Sequence, residues 1–386
     1  YLFSLLKLGQ FTNYYKDIQQ GLNVYLRGLR ESEKLSNYRY AAVFCGYIGN
    51  IYKHFGEYDL AYEYFQKQSI ASEKGNYKKG LSDSYINLGN LKGDQDSWEQ
   101  AEEYYKKALT LSEEINDSSG MSSSYGNLAI VYDAYGYESE IKDTKKDYFR
   151  TAITYLEKST DLGEKLKDSV GLSINYNTLG NIYKELGKIE EDAGLKQKLF
   201  SKAEDYLLTA LTLSTETKDL SGIAWVNSDL AKFYAALSDL PDISKPVKAV
   251  HIKKTIQVGL IAMHTAEEID EFMVRLNTSK ILAEAYKEQG NFEEALNYAE
   301  LNIQLQTEAF NEEKTKAIQE METKYETEKK EKEIILLSQK NSEQELAILK
   351  NKYFLYGLFS IILILLLFSI LVIRNIRIGN RQKTLE

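Results

Sequence analysis

The 386 residues could fill two or three ordinary domains or one extended array, and a net charge of −9 argues against binding by phosphate neutralisation, so no nucleic-acid partner is expected. Only two prolines occur, Pro241 and Pro246, which permits long uninterrupted helices and favours an all-α fold. The single cysteine, Cys45, excludes an intrachain disulfide framework and a multi-cysteine metal site, and reads as a small core residue.

Along the chain a short pattern recurs: an apolar residue, a small residue, two further positions and an aromatic. It reads IGNIY at 48–52, LAIVY at 128–132, LGNIY at 179–183, LAKFY at 230–234 and LAEAY at 282–286, with weaker copies LGQFT at 8–12 and LGNLK at 88–92. The small residues are Gly9, Gly49, Gly89, Ala129, Gly180, Ala231 and Ala283, and they step by 40, 40, 40, 51, 51 and 52 positions. A second pattern follows each copy. Ala61 precedes Phe65, Ala101 precedes Tyr105 and Ala108, and Ala295 precedes Ala299, which sets small and large side chains on one helix face. Gly56, Gly136, Gly187 and Gly290 are expected at the turns between paired helices. The longer steps imply inserts near residues 137–149, 188–201 and 238–248, read as longer turns with extra helical residues.

The repeated hairpin resembles the tetratricopeptide repeat, whose unit is a helix, a turn and a helix. The resemblance covers residues 1–305 and implies a superhelical solenoid of about seven hairpins, with a protein or peptide ligand in its concave groove. Polar residues beside the small markers are then the candidate groove contacts: Asn50, Asn87, Asn90, Asn127, Asn177 and Asn181, whose amides suit an extended backbone. Some members of the family clamp a C-terminal carboxylate with lysine and asparagine. Asn50 and Asn87 resemble those asparagines, but Gly46 stands where the lysine is expected, so a complete clamp is not. Tyr52, Tyr132, Tyr183, Tyr234 and Tyr286 follow the core pattern and read as packing residues.

Catalytic chemistry has no motif. The histidines His54, His251 and His264 are scattered, without a second ligand at metal-site spacing, and neither a GxxxxGK[ST] loop nor a GxSxG elbow occurs. No metal or cofactor is expected.

Residues 306–352 change to a charged run free of proline and glycine, a helical stalk. From Asn302 to Lys352 the helix would reach on the order of 75 Å. Ile318, Met321, Tyr325, Ile335, Leu346 and Leu349 form a loose seam, interrupted by Glu328, Lys332, Gln339 and Ser342, as in a weak or partner-dependent coiled coil. Residues 353–373 carry no charge, long enough for one transmembrane helix, with Tyr353 and Tyr356 placed for an interfacial belt. Residues 374–386 supply Arg374, Arg377, Arg381 and Lys383, against Lys350 and Lys352 before the span. That bias puts the C-terminus in the cytoplasm and the repeats outside it. A homodimer through stalk and span is compatible with this layout.

The order of repeat array, stalk, single span and basic exit resembles the input half of bacterial membrane sensor histidine kinases. That resemblance implies a kinase core beyond Glu386, since no histidine follows His264. A similar stalk occurs in membrane-bound helix-turn-helix regulators, and a tethered scaffold without output is a further alternative. The start at a tyrosine, without a charged region and apolar stretch before the helical pattern, and the open helical end lead to the expectation of a chain cut at both ends.

Overall fold

The computed structural model describes residues 1–14, 18–241, 243–309 and 349–374; the stalk seam between 310 and 348 and the basic residues after Arg374 lie outside them. It separates into two units, Tyr1–Leu305 and Gln306–Glu386. Among the described residues all regular structure is helical.

The first unit is a series of helical hairpins. They pair α1 (Leu2–Tyr14) with α2 (Ile18–Lys34), α3 (Tyr38–His54) with α4 (Tyr58–Lys74), and α5 (Lys78–Gly93) with α6 (Trp98–Glu114). Then α7 (Ser118–Glu138) pairs with α8 (Lys142–Leu166), α9 (Ser169–Ile189) with α10 (Ala193–Thr217), and α11 (Leu220–Ser238) with α12 (Lys245–Glu268). Helix α13 (Phe272–Gln289) and α14 (292–309) follow. Every small marker residue falls on a first helix of a pair, from Gly9 on α1 to Ala283 on α13.

The glycine markers are small because a side chain from the second helix occupies the place of their own, an aromatic ring at the first three and Leu207 at Gly180. A Cβ on Gly49 would lie 2.5 Å from the Phe65 ring, and one on Gly89 2.5 Å from the Tyr105 ring; Gly9 meets Tyr25 in the same way. Phe65 and Tyr25 are almost wholly buried by this seating. Ring into notch fixes the helix crossing and excludes water, which supplies most of the stability that marginal isolated helices lack.

Between hairpins a second device repeats. Ser36, Asn76, Asn116, Lys167, Lys218 and Asp270 all have φ between 46° and 57°, the left-handed region. After each, the next backbone N–H reaches back to the carbonyl of Ser32, Ser72, Ser112, Gly163, Ser214 or Ala266 at 2.7–3.0 Å. This is the six-to-one closure that ends a helix and turns the chain. Its positions step by the same intervals as the markers. Ser112 and Ser214 are buried where the following helix crosses, against Gly120 and Gly222.

The first two expected inserts are taken up as extra helix without longer turns, whereas the third includes the connection between Ser238 and Lys245. First helices lengthen from 17 residues in α3 to 21 in α7 and α9, and second helices from 17 in α4 to 25 in α8 and α10. The connections at residues 139–141 and 190–192 stay short. Gly136 and Gly187, expected at turns, therefore lie inside α7 and α9, where Phe149 and Phe200 seat against them. The extension carries its own ring and notch. Gly56 and Gly290 do occupy turns, with φ of 73° and 89° that only glycine adopts without strain.

In the second unit the helix Leu349–Arg374, α15, has mean hydropathy 2.9 over its most apolar window and buries none of that window within the protein. By length and composition it can cross a membrane.

Because Gly89 faces the Tyr105 ring directly, Gly89→Leu is expected to lower stability by about 2 kcal/mol despite leucine's better helix propensity. Adding Tyr105→Ala opens the space and should return part of that loss in thermal unfolding. Strictly additive losses would rule out the ring and notch as the determinant.

Candidate functional site

Helix α3 adjoins α5, α5 adjoins α7, and the succession continues through α9 and α11 to α13, so the first helices form one contiguous layer. The second helices pack on their own and on the following first helix. Residues of the first-helix layer that point away from the hairpin partners line the open side, the place for a ligand in such an array.

A groove of about 440 Å³ opens on this layer between α3, α5 and α7. Gly46 and Asn50 of α3, Asp83 and Asn87 of α5, and Ser123 of α7 line it, with Gln68 of α4 at its floor. A Cβ on Gly46 would stand 3.0–3.1 Å from the Gln68 amide, so glycine keeps the floor low. Asn87 Nδ2 donates to Gln68 Oε1 at 3.1 Å, which orients both amides. Asp83 is the only charged group among the lining residues. Burial pushes its carboxyl above the usual range; Lys79 opposes this from 3.7 Å, while Asp117 adds to it. Lys79 is itself held by Asp117 at 2.6 Å.

All six candidate asparagines lie on first helices, but in different surroundings. Asn50 is exposed in the groove. Asn90 Oδ1 accepts from Tyr105 Oη at 2.9 Å and from Asn127 Nδ2 at 3.1 Å, tying α5 to α6 and α7. Asn177 and Asn181 each donate to Asp229 Oδ2 at 2.8 Å, tying α9 to α11. With Asn87 on Gln68, five of the six are thus hydrogen-bonded within the array. The core tyrosines do the same on the other side of their rings: Tyr132 and Tyr135 donate to Glu102, and Tyr234 to Glu204. Against the upward push of burial, hydrogen bonds from Lys106, Tyr132 and Tyr135 hold Glu102 below the usual carboxylate range. His251 stacks on Tyr234, and burial with Lys254 lowers its pKa.

Two family models described as tetratricopeptide repeat match the sequence, one at residues 39–114 and 80–139, the other at 281–313. The chain carries tetratricopeptide repeats. No curated protein matches it in sequence. Among solved structures, the apo form of RapI superposes with a TM-score of 0.52 at 17% identity, over 80% of this chain and 99% of RapI. Aspartyl phosphate phosphatase F from Bacillus subtilis gives 0.51 at 15% identity, over 77% of this chain and 68% of that one. At such identity the likeness is one of fold.

Further along the tetratricopeptide layer, α7, α9 and α11 share a charged cluster that no short sequence pattern announces. Asp229 is buried, and although burial pushes its carboxyl up, Lys232, Asn177, Lys184 and Asn181 hold it below the usual range. Lys232 Nζ reaches Asp229 at 3.0 Å. Lys184 is likewise buried, which lowers its pKa even beside Glu185 and Asp229. Asp133 of α7 has an Oδ1 shut off from solvent without a hydrogen bond, and burial pushes its pKa up to about 7, only partly opposed by Lys184. The members are about 50 residues apart, so only the stacking of repeats brings them together.

Asp133 gives a signed expectation. Its folded pKa lies above the ordinary value of 3.8, so between pH 4 and 7 the unfolded chain holds fewer protons and stability falls as pH rises through that window. Asp133→Asn removes this dependence. The variant should be more stable than the parent at pH 8, by on the order of 2 kcal/mol, and nearly equal to it at pH 4. Parallel unfolding curves at every pH would contradict the assignment.

Proposed function

We propose that the chain is a membrane-anchored protein-interaction module whose first-helix groove holds an extended peptide or protein segment, and that it serves as the extracytoplasmic input of a signalling protein. The groove between α3, α5 and α7 carries this reading: it is open, floored by Gly46 and lined by amides able to donate and accept along a backbone. Asn50 and Asn87 are its proposed ligand contacts. Asn90, Asn127, Asn177 and Asn181 contribute by holding neighbouring hairpins in register.

Anchoring rests on α15. Exposed Leu, Ile and Phe side chains surround it along its whole length, a surface that water does not tolerate and lipid does. The basic residues from Arg374 to Lys383 outnumber Lys350 and Lys352, which supports a cytoplasmic C-terminus. In this reading two chains pair along stalk and span, and ligand binding biases one of two arrangements of the array, which requires different affinity in each.

Two measurements test it. The full chain in phosphatidylcholine nanodiscs should bind members of an immobilised library of extended peptides, and Asn87→Ala should weaken that binding about tenfold, since its loss also frees the Gln68 amide. Failure of every peptide to bind would sink the groove as a ligand site. Ile364→Arg with Leu367→Arg costs about 3 kcal/mol per residue at the centre of a span, so the double variant should shift from the carbonate-resistant membrane fraction to the soluble one. Unchanged fractionation would argue against a spanning helix.

A further inference from the structure

The charge of the groove narrows what it accepts. Among its lining residues the single charged group is a carboxylate, Asp83, and no lysine or arginine lies among them. Asp83 has little compensation: its one nearby cation, Lys79, stands 3.7 Å away and is drawn to Asp117 at 2.6 Å. Around it the lining is aromatic and amide. Tyr47 and Tyr77 both contribute, and each ring is held in place, Tyr47 stacked on Tyr25 at 5.0 Å between centroids and Tyr77 capped by the Arg39 guanidinium at 4.6 Å. Gly46 and Gly80 admit the Gln68 amide and the Tyr77 ring against the backbones of α3 and α5, and Ile86 and Asn87 complete the lining.

A carboxylate that shares a groove with two aromatic rings is complementary to an ammonium or guanidinium group, through an ion pair and the negative faces of the rings. A carboxylate of the ligand would meet Asp83 with nothing positive on the lining to offset it. We infer that the groove between α3, α5 and α7 selects a peptide that presents a lysine or arginine side chain, which pairs with Asp83 in the groove that Tyr47 and Tyr77 also line. This rests on the reading that the groove holds an extended peptide, and adds the charge of what it holds. The polarity is opposite to that of a carboxylate clamp, with Gly46 in place of a cation and Asp83 as the fixed charge. Asp83 lines the cavity on the same face of α5 as Gly80, Ile86 and Asn87, each about one turn away, while Lys79 turns to the α6–α7 connection.

The test uses the full chain in phosphatidylcholine nanodiscs and an immobilised library of N-acetylated extended peptides in which lysine, arginine, glutamine and glutamate are equally represented. Lysine or arginine should be enriched over glutamate by about tenfold at one position, and the preference should weaken as salt is raised. Asp83→Asn should abolish the enrichment and Asp83→Lys should invert it towards glutamate, with melting temperatures recorded to confirm folded protein. Glu63→Gln, on the α4 surface where Glu63 pairs with Lys67, should leave it unchanged. A second, free-amine library separates the side chain from the peptide terminus: enrichment that vanishes on acetylation would overturn the side-chain assignment. Binding without charge preference, or a preference that survives Asp83→Asn, overturns the inference while leaving the groove as a peptide site. Absence of any binding overturns both.

Discussion

The five hairpins from α1–α2 to α9–α10 depend on the seating of an aromatic ring from the second helix in a notch left by a glycine of the first. Phe65 on Gly49 and Tyr105 on Gly89 bring two backbones close enough for the remaining side chains to interlock. Since glycine within a helix costs roughly 1 kcal/mol relative to alanine, the notch is kept only because the ring it admits buries far more apolar surface than that cost. Where the marker is alanine, as at Ala129, the extended helix offers Gly136 two turns further on and Phe149 takes that place. The interaction thus recurs from α1–α2 to α9–α10 although its members shift.

With the crossing inside each hairpin fixed in this way, polar groups are left to govern how hairpins meet one another. Asparagines on successive first helices bond across, from Asn127 to Asn90 and from Asn177 to Asp229, and tyrosine hydroxyls reach glutamates of adjacent helices. Such bonds contribute little net energy each, about 1 kcal/mol, yet they are directional, so they set the angle between neighbours. The buried Asp229 and Lys184 belong to this class. Their desolvation is costly, and the hydrogen bonds from Asn177 and Asn181 offset part of it. Near α3 and α5, by contrast, the amides of Asn50 and Asn87 line an open groove.

Much of this was legible from residues alone. The intervals of 40 and 51 located every first helix, because a small residue that lets the partner helix approach recurs wherever the crossing recurs. The same intervals recur in Ser32, Ser72 and Ser112 and in the left-handed Ser36, Asn76 and Asn116; those serines are small for the next crossing and could have been found as a second phase of the repeat. What sequence did not carry was the fate of the inserts. Glycine signals a turn and a notch equally, and Gly136 and Gly187 were notches. It likewise gave no means of telling an asparagine bonded inward, such as Asn181, from one facing a groove, such as Asn50, because that depends on a partner in the next repeat, 48 residues away. Asp83 stood unremarked among many surface carboxylates for the same reason.

The lengthened helices of α7 to α10 have one more effect. Eight added residues extend α8 by about 12 Å beyond the reach of a helix such as α6, so the added turns have a neighbour on one side only. There Lys142 pairs with Glu191 and Lys146 with Glu190, joining the tips of the two long hairpins to each other. The solenoid therefore has two gauges, a slender N-terminal run and a broader run joined along an outer edge of its own, with the change of gauge falling at α7, at the end of the groove.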